Sequence, residues 1–376
     1  MFPVDRLPAY PKNPGVTGDA ARLDRHRSIA AALAGLDDHE LAARLAAATP
    51  LGVGIGGQTA RLEVGGAPVF VKRIPLTGLE RQPGHVGSTA NLFGLPTFYQ
   101  YGVGSTGFGA WRELAAHHTT TEWVRAGVSP RFPLLHHWRV LPAPPGARPD
   151  FGDWDGDPAV ARRLAAIDAA TAGVVLCLEY LPQTLHDWLT ERFDAGDGER
   201  ATAFADRELR AAVEVMRAYG MVHFDAHPGN VLTDGRRLYL ADFGLALDRA
   251  FTLSPAEAAF LELHRDWDRW DTERYLVNWL CHRLAPGADR AAVIRDGGPG
   301  LPGWAQALIV RYGPTVQVLN DFYDRLVAGP KTTPYPAREL HECGGGLASD
   351  LGAARRAPRS SKPRQAVRDV RDAGDA

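Results

Sequence analysis

The residues best suited to chemistry lie in one stretch, Met221–Leu247, which reads MVHFDAHPGNVLTDGRRLYLADFGLAL. It opens on His223-Phe224-Asp225-Ala226-His227-Pro228-Gly229-Asn230 and closes on Asp242-Phe243-Gly244. Between them two short apolar runs, Asn230–Thr233 and Leu238–Ala241, flank an Asp234-Gly235 turn, the pattern of a hairpin. A loop, a hairpin and a second loop bring Asp225, Asn230 and Asp242 to one end of one small sheet. Two carboxylates and an amide so placed suit phosphoryl transfer. One carboxylate accepts the proton of an attacking hydroxyl, while the amide and the other carboxylate hold the magnesium ions that neutralise phosphate charge.

His-x-Asp-x-x-x-x-Asn followed by Asp-Phe-Gly resembles the catalytic core of the protein-kinase-like superfamily. The resemblance implies that Asp225 is the base and that Asn230 and Asp242 are metal ligands. It extends over roughly residues 51–327, with its specific motifs in a few short segments. Leu51–Val64 carries Gly52, Gly54, Gly56 and Gly57 between strand-like residues, and such a loop lets backbone N–H groups approach phosphates. After a Gly65-Gly66 turn, Pro68–Ile74 reads as a strand with Lys72 inside it. The chain has only four lysines, Lys12, Lys72, Lys331 and Lys362, so a lysine within an apolar strand stands out. The segment resembles the nucleotide-covering loop and phosphate-binding lysine of the superfamily. There, a glutamate on the next helix orients that lysine. The helix expected over Ala110–Arg125 offers Glu113, with Glu122 as the alternative. Val174–Leu181 looks like the strand and hinge joining the two lobes, and implies that backbone groups near Glu179 and Leu181 meet the adenine edge.

The elements that must position these groups follow from periodicity. Residues 1–20 are rich in Pro and Gly and read as an extended arm. Residues 20–48 carry Leu33, Leu36, Leu41 and Leu45 at helical spacing up to Pro50. Residues 77–110 are Gly-rich and read as an insertion: a mobile flap, a partner site or packing. Within it Gly102-x-Gly104-x-x-Gly107 mimics a dinucleotide fingerprint, but Pro96 spoils the preceding strand. Phe132–Leu141 reads as a strand and 143–157 as a surface loop. Leu185–Phe193, Ala201–Tyr219 (with Gly220 as C-cap), Ala256–Leu263, Trp267–Leu284 and Leu301–Val327 read as helices, the last broken at Gly313-Pro314. The predicted architecture is α+β, a two-lobed protein-kinase-like fold. Its N-lobe is an antiparallel sheet plus one helix (49–181) and its C-lobe is mostly helical (182–343). A helical extension (1–48) precedes these lobes, and a tail poor in large apolar residues (344–376), expected to be disordered, follows them.

The chain has 376 residues, enough for two cores, and a formal net charge of −2, which gives no case for nucleic acid or an anionic membrane as partner. No apolar run is long enough to span a bilayer and the N-terminus lacks a secretory pattern. Three scattered cysteines, Cys177, Cys281 and Cys343, favour a reducing compartment, hence a cytoplasmic protein.

Three departures bear on substrate. Phe224 stands before Asp225, where many protein kinases have an arginine that reads a phosphorylated loop. No clear Ala-Pro-Glu follows Asp242; Ser254-Pro255-Ala256-Glu257 is a partial match. His227, two residues after Asp225, resembles the aminoglycoside phosphotransferase branch; both His223 and His227 are expected to be structural. The acids and tryptophans of Asp266–Glu273 either line an acceptor pocket or face core and water as an ordinary helix. The resemblance therefore implies an ATP- and magnesium-dependent phosphotransferase acting on a hydroxyl, preferably of a small molecule. A protein Ser/Thr kinase is the first alternative and a nucleotide-binding pseudokinase the second.

Overall fold

Strand alternation places the central lysine. In β3 (Ala67–Leu76), Val69 and Val71 point to one face while Phe70, Lys72 and Ile74 point to the other. Residues 19–54, 57–143 and 156–344 are described in the computed structural model. The expected arm over 1–18, Gly56, most of the 143–157 loop and the tail beyond Gly344 lie outside them.

The protein is α+β. Five strands form an antiparallel sheet in the order β1-β2-β3-β5-β4, with β1 Thr49–Gly54, β2 Gly57–Val64, β4 Leu135–Pro142 and β5 Ala172–Glu179. Both faces are covered, which explains why β5 is apolar from Ala172 to Leu178 rather than alternating. On one side α1 (Ala20–Ala34) and α2 (Asp38–Ala46) bury Ile29, Leu33 and Leu41 against Val69, Val71, Val175 and Cys177. On the other, α3 (Ala110–Arg125) buries Trp111 and Leu114 against Ile74, Val174, Leu176 and Leu178. The helices of residues 20–48 thus form one wall of the sheet.

The C-terminal half is helical: α5 (Leu185–Asp194), α6 (Gly198–Tyr219), α7 (Pro255–Leu263), α8 (Trp267–Leu284), α9 (Arg290–Arg295), α10 (Gly303–Ala328) and α11 (Ala337–Gly344), with α4 (Pro158–Asp168) lying between β4 and β5. As predicted, Gly220 ends α6 in the left-handed conformation. The expected break at Gly313-Pro314 does not occur, and α10 continues through Pro314. Ile309, Tyr312, Val316 and Leu319 on both sides of it are buried, so packing holds one axis. The carbonyl that Pro314 leaves without its usual donor belongs to Val310, which is 64% exposed and so on a water-facing side. A three-stranded sheet, β6 (Gln183–Thr184), β8 (Val231–Thr233) and β9 (Leu238–Leu240), carries the predicted hairpin. A two-residue pairing of β7 (Met221–Val222) with β10 (Leu247–Asp248) closes the segment on itself.

Residues 77–109 form a strap anchored at several points. Glu80 is its hub: its carboxylate accepts from the Thr77 N–H and hydroxyl, the Ala110 N–H at the start of α3, and Arg163 of α4. A 3₁₀ turn at Thr97–Tyr101 rests on the C-terminal half, where the Gln100 amide donates to the Leu245 carbonyl at 2.6 Å and the Tyr101 hydroxyl meets His264 Nε2 at 2.9 Å.

Candidate active site

Because β3 alternates, Lys72 is carried under the sheet to α3, where it is 4% exposed. Its Nζ lies 2.7 Å from Glu113 and 2.6 Å from Asp242. A buried ammonium persists only with such partners. Burial alone would lower its pKa, but the two carboxylates raise it. Glu113, and not the partly exposed Glu122, is therefore the carboxylate on Lys72; Glu122 pairs with Arg125. Burial pushes Asp242 up and the ammonium overrides it, leaving the carboxyl low, at about 2. Asp242 is ionised at every relevant pH.

The hairpin brings Asp225 and Asn230 to the same end. Asn230 Nδ2 donates to the Asp225 carboxylate at 2.9 Å and to its carbonyl at 3.0 Å, which leaves Oδ1 for another partner. Burial, then the nearby charges of Asp242 and Asp271, push Asp225 up to about 8. Phe224 and Asp242 are the only non-glycine residues with positive φ among the described residues, at 65° and 63°. Strain of this kind persists only where the surroundings impose it. Asp268 of α8 imposes it at Phe224. It is 5% exposed, and its two oxygens accept the His223 and Phe224 N–H groups at 2.7 and 3.0 Å. The Phe224 ring is buried against Phe260, His264 and Trp267.

Both histidines serve the loop. His223 Nδ1 accepts the Asp225 N–H, so its Nε2 donates to the Ala241 carbonyl at 2.9 Å; burial lowers its pKa to about 4 and keeps it neutral. His227 Nδ1 accepts the Gly229 N–H, and its Nε2 lies 3.9 Å from Asp225, beyond hydrogen-bond range.

One cavity of about 280 Å³ is lined by Lys72, Glu113, Asp225, His227, Asn230 and Asp242 together with Gly57 of β2. Strap residues form another part of its wall. Gly102 and Gly107 both have positive φ and lie on that wall. A Cβ on Gly107 would sit 2.4 Å from the Gly244 carbonyl oxygen, and one on Gly102 3.1 Å from Leu245 and 3.7 Å from Asp225. The dinucleotide-like spacing thus reflects close backbone approach. Neither Glu179 nor Leu181 lines this cavity, nor does Gly52. The Glu179 N–H donates to the Leu134 carbonyl, and its carboxylate receives Arg22 of α1 at 2.7 and 2.8 Å. Gly54 ends β1 opposite Gly57.

Asp266–Glu273 is resolved into separate duties. Asp268 holds the loop, Asp271 pairs with Arg274, and Trp267 and Trp270 are core. The role of Asp268 is not legible locally, because the amides it serves lie 45 and 44 residues upstream.

The donor set suits magnesium. Asp242 is kept ionised and Asn230 Oδ1 is spare, and both are hard oxygen donors. Among the described residues no cluster of three or more His, Cys, Asp or Glu forms a metal cage. Magnesium in nucleotide sites needs none, since phosphates complete its shell.

No model of a known protein family matches the chain, and no curated protein aligns with it significantly. Among the described residues no helix is long and apolar enough to cross a membrane.

Proposed function

We propose that this protein is a kinase-like phosphotransferase that moves the γ-phosphate of ATP to the hydroxyl of a small molecule. The observation that carries this is the joint contact of Lys72 with Glu113 and Asp242 in the cavity that also holds Asp225 and Asn230. Lys72 meets phosphate oxygens as a fixed cation, with Gly57 of β2 in the same cavity wall. Asn230 and Asp242 hold magnesium, which supplies charge neutralisation on the phosphates when bound. Asp225, tied to Asn230, takes the proton in its ionised form as the acceptor oxygen bonds to phosphorus and ADP leaves.

A small acceptor is favoured by the strap. Gly102 lies beside the Asp225 carboxylate and Gly107 against Gly244, so part of the approach to the base is occupied by this chain itself. The test is transfer of label from [γ-³²P]ATP with magnesium, for wild type and Asp225→Ala, with and without a pooled metabolite extract. Label on a small molecule, lost in the variant, supports this function. Label on protein alone favours a protein kinase, and nucleotide binding without transfer a pseudokinase.

A further inference from the structure

The residue beside Glu113 has a separate set of contacts. On a helix adjacent side chains diverge by about 100°. Glu113 therefore faces Lys72 while Arg112 faces the C-terminal half. Its guanidinium, 2% exposed, donates through Nε to the Thr89 carbonyl of the strap at 2.6 Å and through one terminal nitrogen to Glu257 of α7 at 2.7 Å. It also lies over the rings of Phe108 and Phe251, 5.1 and 5.7 Å from their centroids. Glu257 is 3% exposed and equally fixed: its other oxygen accepts the Ser254 N–H and hydroxyl in the capping box that starts α7.

We propose that Arg112 and Glu257 form a latch between the sheet half and the helical half that holds α3, and with it Glu113, against Lys72. This rests on the phosphotransferase assignment of the site for its consequence, but not for its geometry. The two halves are joined covalently through residues 180–182; the latch joins them again beside the phosphate-binding end. Both partners are buried, so opening it leaves an unpaired charge without water and is strongly disfavoured. Arg112 and Glu113 are consecutive, with Cα atoms about 3.8 Å apart, so a shift of one moves the other. Arg112 is a positioning residue acting through Glu113. The partial Ala-Pro-Glu match thus ends in a glutamate that secures α3.

The test uses the full chain with Arg112→Met and, because that variant could fail to fold, Glu257→Gln, which keeps shape and one hydrogen-bond acceptor. Amide hydrogen exchange needs no nucleotide. Either variant is expected to raise exchange over Glu113–His117 while β5 and α8 keep wild-type protection; unchanged exchange in α3 overturns the latch. Affinity for magnesium with a non-hydrolysable ATP analogue, read by tryptophan fluorescence, is expected to fall by about tenfold in Arg112→Met. In a Glu113→Gln background the same substitution should have almost no further effect, because the group it positions is already lost. Additive losses overturn the positioning role. If wild type binds no nucleotide, the phosphotransferase assignment fails, while the exchange result still decides the latch.

Discussion

Asp242 and Asp225 are aspartates at one end of one hairpin, yet their surroundings drive them in opposite directions. Asp242 shares Lys72 with Glu113 and is held at about 2, although two-fifths of its side chain is exposed in the cleft. Asp225 is a third exposed and has no direct cation; burial and the charges of Asp242 and Asp271 raise it to about 8. Carboxylates pushed apart in this way take different tasks. The permanently ionised one suits a metal, and the raised one suits a proton. The difference is made by elements distant in sequence: β3 supplies the cation Lys72 beside Asp242, and α8 supplies the charge of Asp271 near Asp225.

The comparison breaks most visibly at Asp242. Asp242→Ala should lower turnover by at least about 10³-fold and weaken magnesium-dependent nucleotide binding, measured by calorimetry. Asp225→Ala should lower kcat by about 10²–10⁴-fold while KM for ATP stays near wild type, as steady-state kinetics would show. Equal effects on both constants in the two variants would erase the distinction.

A smaller effect is expected where the strap meets the loop after Asp242. Gly107→Ala meets both a positive φ and the Gly244 carbonyl, and should cost about 1–3 kcal/mol in denaturant unfolding. It should weaken magnesium-dependent nucleotide binding along with kcat, because Gly244 lies beside Asp242 and Glu113.

The smallest effect concerns the support beneath Asp225. Burial pushes Asp268 up to about 7, against an ordinary value of 3.8. A carboxyl raised on folding contributes stability that is fully present below the unfolded pKa and is lost as pH rises through the folded one. Asp268→Asn removes that titration but keeps one acceptor for the His223 and Phe224 amides. The melting-temperature difference, wild type minus variant, should therefore decline from about pH 4 to pH 7 and flatten above it. A flat difference across that range would show that Asp268 titrates as in the unfolded chain.

Much of this was legible because local rules and tertiary demands agree. The bounds of α3 and α8 match the expected ranges. Lys72 was conspicuous as a rare residue type in an apolar strand, and Glu113 followed from it. The sequence pattern did not reveal what depends on distant partners. α4 went unread although Asp157 and Pro158 start it with a local cap; what the sequence could not show is that its Arg163 meets Glu80, 83 residues away. The strap glycines resembled a nucleotide fingerprint, whereas their spacing answers to Gly244 and Leu245. Backbone groups near Glu179 were assigned to the adenine edge by position; the sequence did not show that the Glu179 carboxylate meets Arg22, 157 residues away on a helix that the motif does not include. Pro314 misled because breaking rules ignore packing on both flanks.

The most direct test of the central claim is a metal-binding measurement at the two ends. Manganese(II) substitutes for magnesium and is followed by electron paramagnetic resonance with a non-hydrolysable ATP analogue. Wild type and Asp225→Ala should both bind the ion with similar affinity, and Asp242→Ala should lose it. Retention of the ion in Asp242→Ala, or its equal loss in both variants, would contradict the division of labour between the two aspartates.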